Sequence, residues 1–181
     1  MLIQHEMATY RTRTDAKQGV DGENIFLKSA DLFDLPPEEL IPTSTGYAGN
    51  QNRFASCMTP FGYVWIDDLQ GKVFLYTGSK IPEEISGYGM FNFFRDFMQL
   101  QRERSVFDNP FTDYGYTIGY DGRFKRIILS KKNGDRSWTI SYSPAEKLWK
   151  SFHDYTPDYL FQGTDAYLYA LKDGVLYLTN Y

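Results

Sequence analysis

The sequence predicts a mainly β fold of antiparallel, four-stranded, blade-like sheets: a partial or incomplete β-propeller with one inserted amphipathic helix. Three observations lead there. Aromatic residues make up 18% of the chain, with 15 Tyr and 14 Phe, and broad flat side chains favour the half-buried surface of a pleated sheet. Short runs of alternating apolar and polar residues end repeatedly at Gly, Pro, Asn and Asp, which are turn signals. Hairpin-like segments also recur at roughly 50-residue spacing, within the range of propeller blades.

Residues 1–24 lack sustained periodicity and read as a flexible arm, leaving 25–181 as a single propeller-like domain. Ile25-Phe26-Leu27 reads as an edge strand. In Asp34-Leu35-Pro36-Pro37-Glu38-Glu39-Leu40, prolines near a first turn precede two carboxylates. That is the pattern of a short helix start, acids beside the positive end of the dipole. Thr43–Asn52 is a Gly- and Asn-rich loop without a phosphate-cradling pattern.

The first blade-like unit spans about 54–86. Its hairpin runs from Gly62-Tyr63-Val64-Trp65-Ile66 through Asp67–Gly71 into Lys72-Val73-Phe74-Leu75-Tyr76. Asp67 and Asp68 are read as turn residues, because the spacing lacks the alternating oxygen ligands of a calcium loop. Phe93, Phe94, Phe97, Met98 and Leu100 then recur at helical spacing, with Arg95, Asp96 and Gln99 between them, giving a helix at about 89–104. Phe91, Phe94, Phe97 and Met98 form a candidate interaction surface on it, the alternative being that the helix simply belongs to the core.

The central unit, about 114–161, holds four strand-like runs. Asn133-Gly134 between Ile127–Leu129 and Trp138–Tyr142 predicts a type I′ hairpin, in which both central residues take positive φ. Pro144–Lys147 separates a second pair. The last unit, about 162–181, repeats the first hairpin: Tyr167-Leu168-Tyr169 resembles Tyr63-Val64-Trp65, and Val175-Leu176-Tyr177 follows the turn Lys172-Asp173-Gly174.

Composition excludes several function classes. The net charge is −4, with no dense Lys/Arg block, which disfavours binding nucleic acid by phosphate neutralisation. The single cysteine, Cys57, rules out an internal disulfide framework and fits a reducing compartment, or a particle assembled in one. No apolar run approaches the ~18 residues a membrane-spanning helix needs, and the N-terminus is too polar for a signal peptide. His5 and His153 stand apart without metal-ligand spacing, and the chain has no nucleophile elbow, P-loop or dinucleotide fingerprint. No catalytic residue, metal or cofactor is therefore expected. Asp121, Asp154 and Asp158 are the candidates for a glycosidase carboxylate pair, if one exists.

Further residues carry a family resemblance. Trp138-Thr139-Ile140-Ser141-Tyr142-Ser143-Pro144 and Lys147–Phe161 resemble the muzzle proteins of crAss-like bacteriophages, nozzle-type "stabilization" proteins at the tail tip. Gly46–Gly49, Gly71–Phe74, Glu84–Ser86, Gly89-Met90, Phe93-Phe94 and Tyr120–Ile127 resemble the same family in matching order, from about Ile25 to the C-terminus. The resemblance implies a non-enzymatic virion component, made in the bacterial host cytoplasm. It would assemble with itself and with other tail and portal-complex proteins around the channel for transient DNA passage, with no membrane or small-molecule partner. Two other readings stay open: a carbohydrate-binding module and, less favoured, a propeller-type glycoside hydrolase. A structural piece buries Trp65, Trp138 and Trp149, whereas a sugar binder displays coplanar aromatics in a groove.

Overall fold

The computed structural model describes residues 2–12, 17–20, 23–26, 36–44, 46–79, 81–98 and 109–179. Within them the chain is mainly β, with one α-helix and antiparallel sheets that pack face to face; no sheet closes into a barrel.

Short strands occur among the described residues of the segment expected as an arm. β1 (Leu2–Gln4) pairs with β2 (Thr9–Arg11), and β3 (Lys17–Val20) pairs with β4 (Glu23–Phe26) as a separate ribbon. The edge strand expected at residues 25–27 therefore corresponds to β4 as far as Phe26, Leu27 lying outside the described residues. The helix start expected at 34–40 is also overturned where it is described: Glu38–Glu39 is β5, paired antiparallel with β2. The partner strand lies some thirty residues upstream, and Arg11 Nη2 donates to Glu38 Oε2 at 2.6 Å. A tertiary ladder of this kind overrides the weak local preference of a single turn.

The second sheet contains β6 (Ser56–Thr59), β7 (Gly62–Asp67), β8 (Lys72–Tyr76) and β9 (Glu83–Glu84), in that spatial order. Its two faces follow the period of two. Trp65 and Phe74 stack on the face covered by Ala48 and Tyr47, while Val64, Ile66, Val73 and Leu75 enter the main core. A one-turn 3-10 helix, Ile85–Gly87, leads towards α1 (Phe91–Met98); residues 99–104 of the expected helix lie outside the described ones.

The third sheet is the four-stranded meander expected from the centre of the sequence: β10 (Tyr114–Asp121), β11 (Arg126–Asn133), β12 (Trp138–Ser143) and β13 (Leu148–His153). Tyr116, Ile118, Tyr120, Ile127, Leu129, Trp138, Ile140 and Tyr142 meet the second sheet and α1. The opposite face carries small or polar residues, among them Thr117, Gly119, Ser130, Thr139 and Ser141, all in the sheet interior. Against this face packs the fourth sheet, β14 (Tyr159–Gln162), β15 (Leu168–Lys172) and β16 (Val175–Leu178), through Leu160, Leu168 and Ala170 on Ile128. Gly119 allows the close approach. A Cβ built there would lie 2.6 Å from Leu168 Cδ1 and 2.8 Å from Leu160 Cβ. Gly119→Ala is accordingly expected to destabilise the protein by about 1–3 kcal/mol through overpacking. In hydrogen exchange β14 and β15 should lose protection before β7 and β8.

The type I′ turn sits elsewhere than the sequence indicates. Gly134 has φ +53°, but Asn133 remains the last residue of β11, and a four-residue loop follows, held by Ser137 Oγ donating to Gly134 O and accepting from Asn133 N. Positive φ at both central positions occurs instead at Asp173-Gly174, between β15 and β16, with values of +52° and +75°. The other three long hairpins use four-residue loops whose last residue is left-handed: Gly71, Lys125 and Lys147.

Candidate functional site

Helix α1 is the candidate surface, and its eight residues split by direction. Phe94 and Met98, four apart, face the same way and are fully buried among Trp138, Trp149 and the second-sheet core. Phe91 and Phe97 face out, 51% and 43% exposed. Phe94 and Met98 are thus packing residues, and only Phe91 and Phe97 remain accessible from the predicted set. The structure adds two that lie outside that set. Phe93 stacks on Phe97 at 5.0 Å between ring centroids and meets Phe152 of β13 edge-on at 5.1 Å. Phe152 is itself exposed, on a strand that pairs, among the described residues, with β12 alone. The result is an aromatic patch shared by α1 and a sheet edge.

What holds α1 in place was hidden in the sequence. Lys131 and Lys132, just before the Asn-Gly step, lie inside β11 and are both buried. Adjacent residues of a strand point to opposite faces, and each ammonium finds partners on its own side. Lys131 Nζ donates to Phe97 O at 2.7 Å and Met98 O at 3.2 Å, the last carbonyls of the helix. This places a cation on the negative end of the helix dipole. Tyr116 Oη donates to Asp68 Oδ1 at 2.5 Å and lies 3.2 Å from Met98 O, tying the β7–β8 turn to the same point. Asp68 is therefore more than a turn residue. Asp67 does serve its turn, accepting from Gln70 N, and also accepts from Gly49 N in the Gly-rich loop.

On the other face, Lys132 Nζ bonds Asp158 Oδ1 and reaches Asp113 Oδ1 at 3.2 Å. Asp158 Oδ2 in turn accepts from Asp173 N at 2.7 Å, holding the Asp-Gly turn of the fourth sheet. Neighbouring lysines thus link three successive layers. Burial would lower the affinity of Lys132 for its proton, but Asp158 and Asp113 outweigh it and raise the pKa.

At Lys131 burial outweighs the attraction of Asp68 and, reinforced by Arg136, pulls the pKa down to about 8. A base whose folded pKa lies below its unfolded ~10.5 binds fewer protons when folded. Stability from this group therefore rises with pH between about 8 and 10.5. Cys57, pushed up to about 11 by burial, works in the opposite sense from pH 9 upward. The expected result is that unfolding free energy of the wild type gains roughly 1 kcal/mol relative to Lys131→Met between pH 7.5 and 9, measured by urea titration. A flat difference would refute the assignment.

The three candidate acids serve separate purposes. Asp121 accepts from Arg123 N and Phe124 N in the β10–β11 loop, Asp158 is tied to Lys132, and Asp154 is exposed. Asp154 lines a cleft of about 710 Å³ with His153, Tyr155, Lys172, Asp173 and Tyr177. The rings of His153 and Tyr155 are tilted by 47° to one another. Burial, then Arg126, lowers the His153 pKa. Trp65 and Trp138 are buried, and half-buried Trp149 donates from Nε1 to Ile85 O at 3.0 Å. Among the described residues no group of three or more His, Cys, Asp or Glu is placed to hold a metal, and no helix is long and apolar enough to cross a membrane.

A family model for the Crassvirus muzzle protein matches residues 41–174, which covers the second and third sheets, α1 and the fourth sheet up to the Asp-Gly turn. The chain belongs to this family. The resemblance legible in residues such as Trp138–Pro144 and Lys147–Phe161 is borne out over that range. No curated protein matches the sequence. Muzzle-family membership gives the chain a structural role in a phage virion, so the stacked sheets and their open aromatic surfaces bear on assembly.

Proposed function

We propose that this muzzle-family chain is a propeller-like segment of the phage tail, residues 25–181 acting as one unit, that locks against copies of itself and neighbouring tail or portal-complex proteins around the DNA exit channel. The family match over residues 41–174 is the observation that carries this reading. Two four-stranded antiparallel meanders stacked face to face are consistent with successive blades. Dense aromatic packing supplies stiffness. The patch of Phe91, Phe97 and Phe152 is a suitable contact surface, since aromatic side chains are enriched where proteins meet. A net charge of −4 suits a conduit wall that must release DNA. In this reading the chain performs no catalysis.

The test is mass spectrometry of purified virions, followed by localisation of the chain in tail density. Its presence as a ring component at the tail tip is expected. Particles lacking it, or placing it outside the tail, would overturn the proposal.

A further inference from the structure

The third and fourth sheets carry opposite charge at the two ends of their strands. At one end is the β10–β11 turn, with the cations Arg123, Lys125 and Arg126. Among the described residues none of these three forms an ion pair, whereas Lys147 and Lys150, beside the β12–β13 turn, are paired with Glu83 and Glu146. Asp121 and Asp165, at the same end, accept backbone N–H groups within their own turns.

At the opposite end Asp113, Asp135, Asp154 and Asp173 are exposed. The register places them together: Tyr114 lies against Asn133, Thr139 against His153 and Lys172 against Val175, and Lys132 ties Asp158 to the same end. Arg136 and Lys172 are the other cations there, Lys132 being buried against Asp158 and Asp113.

The basic end is a firm aromatic projection. Gly122 N donates to Ala166 O at 3.1 Å, seating the turn on the fourth sheet. The guanidinium groups of Arg123 and Arg126 lie over the Phe124 ring, 5.5 and 4.8 Å from its centroid. Arg123, Phe124 and Lys125 are all exposed. The acidic end has a matching hollow, the cleft of about 710 Å³ in which Asp154 and Asp173 stand beside Tyr155 and Tyr177. A chain cannot place its tip against its own acids, because the length of β11, from Arg126 to Asn133, sets the two ends roughly 23 Å apart.

We infer that the β10–β11 tip of one copy of this chain enters the cleft of the next, Phe124 against Tyr155 and Tyr177, Arg123 and Lys125 against Asp154 and Asp173. Arginine and aromatic side chains are those that anchor interfaces, and opposite charges fix the orientation. Charge on the whole chain agrees: residues 121–126 carry +2 of a net −4, leaving −6 on the remainder of each copy. The two surfaces differ and lie at opposite ends, so the contact runs head to tail, each copy giving a tip to one neighbour and a cleft to the other. Such a contact forms a ring when its rotation closes. It names the self-contact of the tail assembly proposed above and rests on that reading for its setting.

Sedimentation velocity of the whole chain at low ionic strength should show assembly beyond the dimer as concentration rises, reversed at about 0.5 M salt. Arg123→Glu with Lys125→Glu disables the tip, and Asp154→Lys with Asp173→Asn disables the cleft. Each pair should weaken self-association at least about tenfold, with an unchanged circular dichroism spectrum. Mixed in equal amounts, the two variants retain one working tip and one working cleft, and should form a dimer and nothing larger. A wild type that stays monomeric or stops at the dimer, assembly indifferent to either variant, or a mixture that stays monomeric would overturn the inference. So would a tip variant that loses binding to duplex DNA while its self-association is unchanged. If virions contain the chain and incorporate both variants as well as the wild type, only this contact fails; absence of the chain from virions removes the tail reading and leaves the solution assembly standing by itself.

Discussion

Replacing Lys132 by Met is expected to destabilise the protein by about 3–5 kcal/mol, because it leaves a buried carboxylate without its cation. The Lys132 and Asp158 side chains are 6% and 8% exposed, so water cannot take over. With Lys132 gone, Asp158 keeps its hydrogen bond from Asp173 N, which is too little to compensate a buried charge. The loss should centre on the fourth sheet, since Asp158 begins it and Asp173 turns it. Urea denaturation gives the magnitude, and hydrogen exchange should show β14–β16 opening first. Asp158→Asn in the Lys132→Met background should recover part of the loss, as a neutral amide is cheaper to bury. A change below about 1 kcal/mol in the single variant would show that the pair acts like an exposed one.

Phe94→Ala is expected to cost about 3–5 kcal/mol, the range for truncating a buried aromatic residue when the cavity collapses only in part. Phe94 lies 4.7 Å from Trp149 and 6.0 Å from Trp138, ring centroid to ring centroid, with no exposed surface. It also seats the helix whose last carbonyls receive Lys131, so the two effects should couple. Phe97→Ala, three residues on and 43% exposed, should change stability by less than about 1 kcal/mol. Thermal unfolding of the pair separates core from contact surface. Equal losses would mean that Phe97 is as much a part of the core as Phe94. If Phe97 lies in an assembly interface, Phe97→Ser should leave the isolated fold intact and reduce incorporation into particles.

Much of the sheet content was legible because strand signals are local. Alternation along Tyr116–Tyr142 marks the buried face of the third sheet, and its four strands follow from the turn residues between them, although β11 runs on to Asn133, past the run Ile127–Leu129. The family was legible in the same way, from short collinear runs. Turn type was less so: Asn133-Gly134 and Asp173-Gly174 carry equivalent local chemistry, but only the second sits where the strand register leaves two residues to close the ladder.

The chain's own residues determined that it would be aromatic-rich, antiparallel and interrupted by one amphipathic helix, since periodicity and turn chemistry act over a few residues. Tertiary structure alone decided that Glu38-Glu39 extends a sheet, that Lys131 and Lys132 are buried on opposite faces of one strand, and which phenylalanines of α1 point inward. Those outcomes depend on partners tens of residues away: β2, Asp158, and the carbonyls of Phe97 and Met98. A lysine carries no local mark of burial, because its position inside becomes tolerable only once distant oxygens have been brought to it.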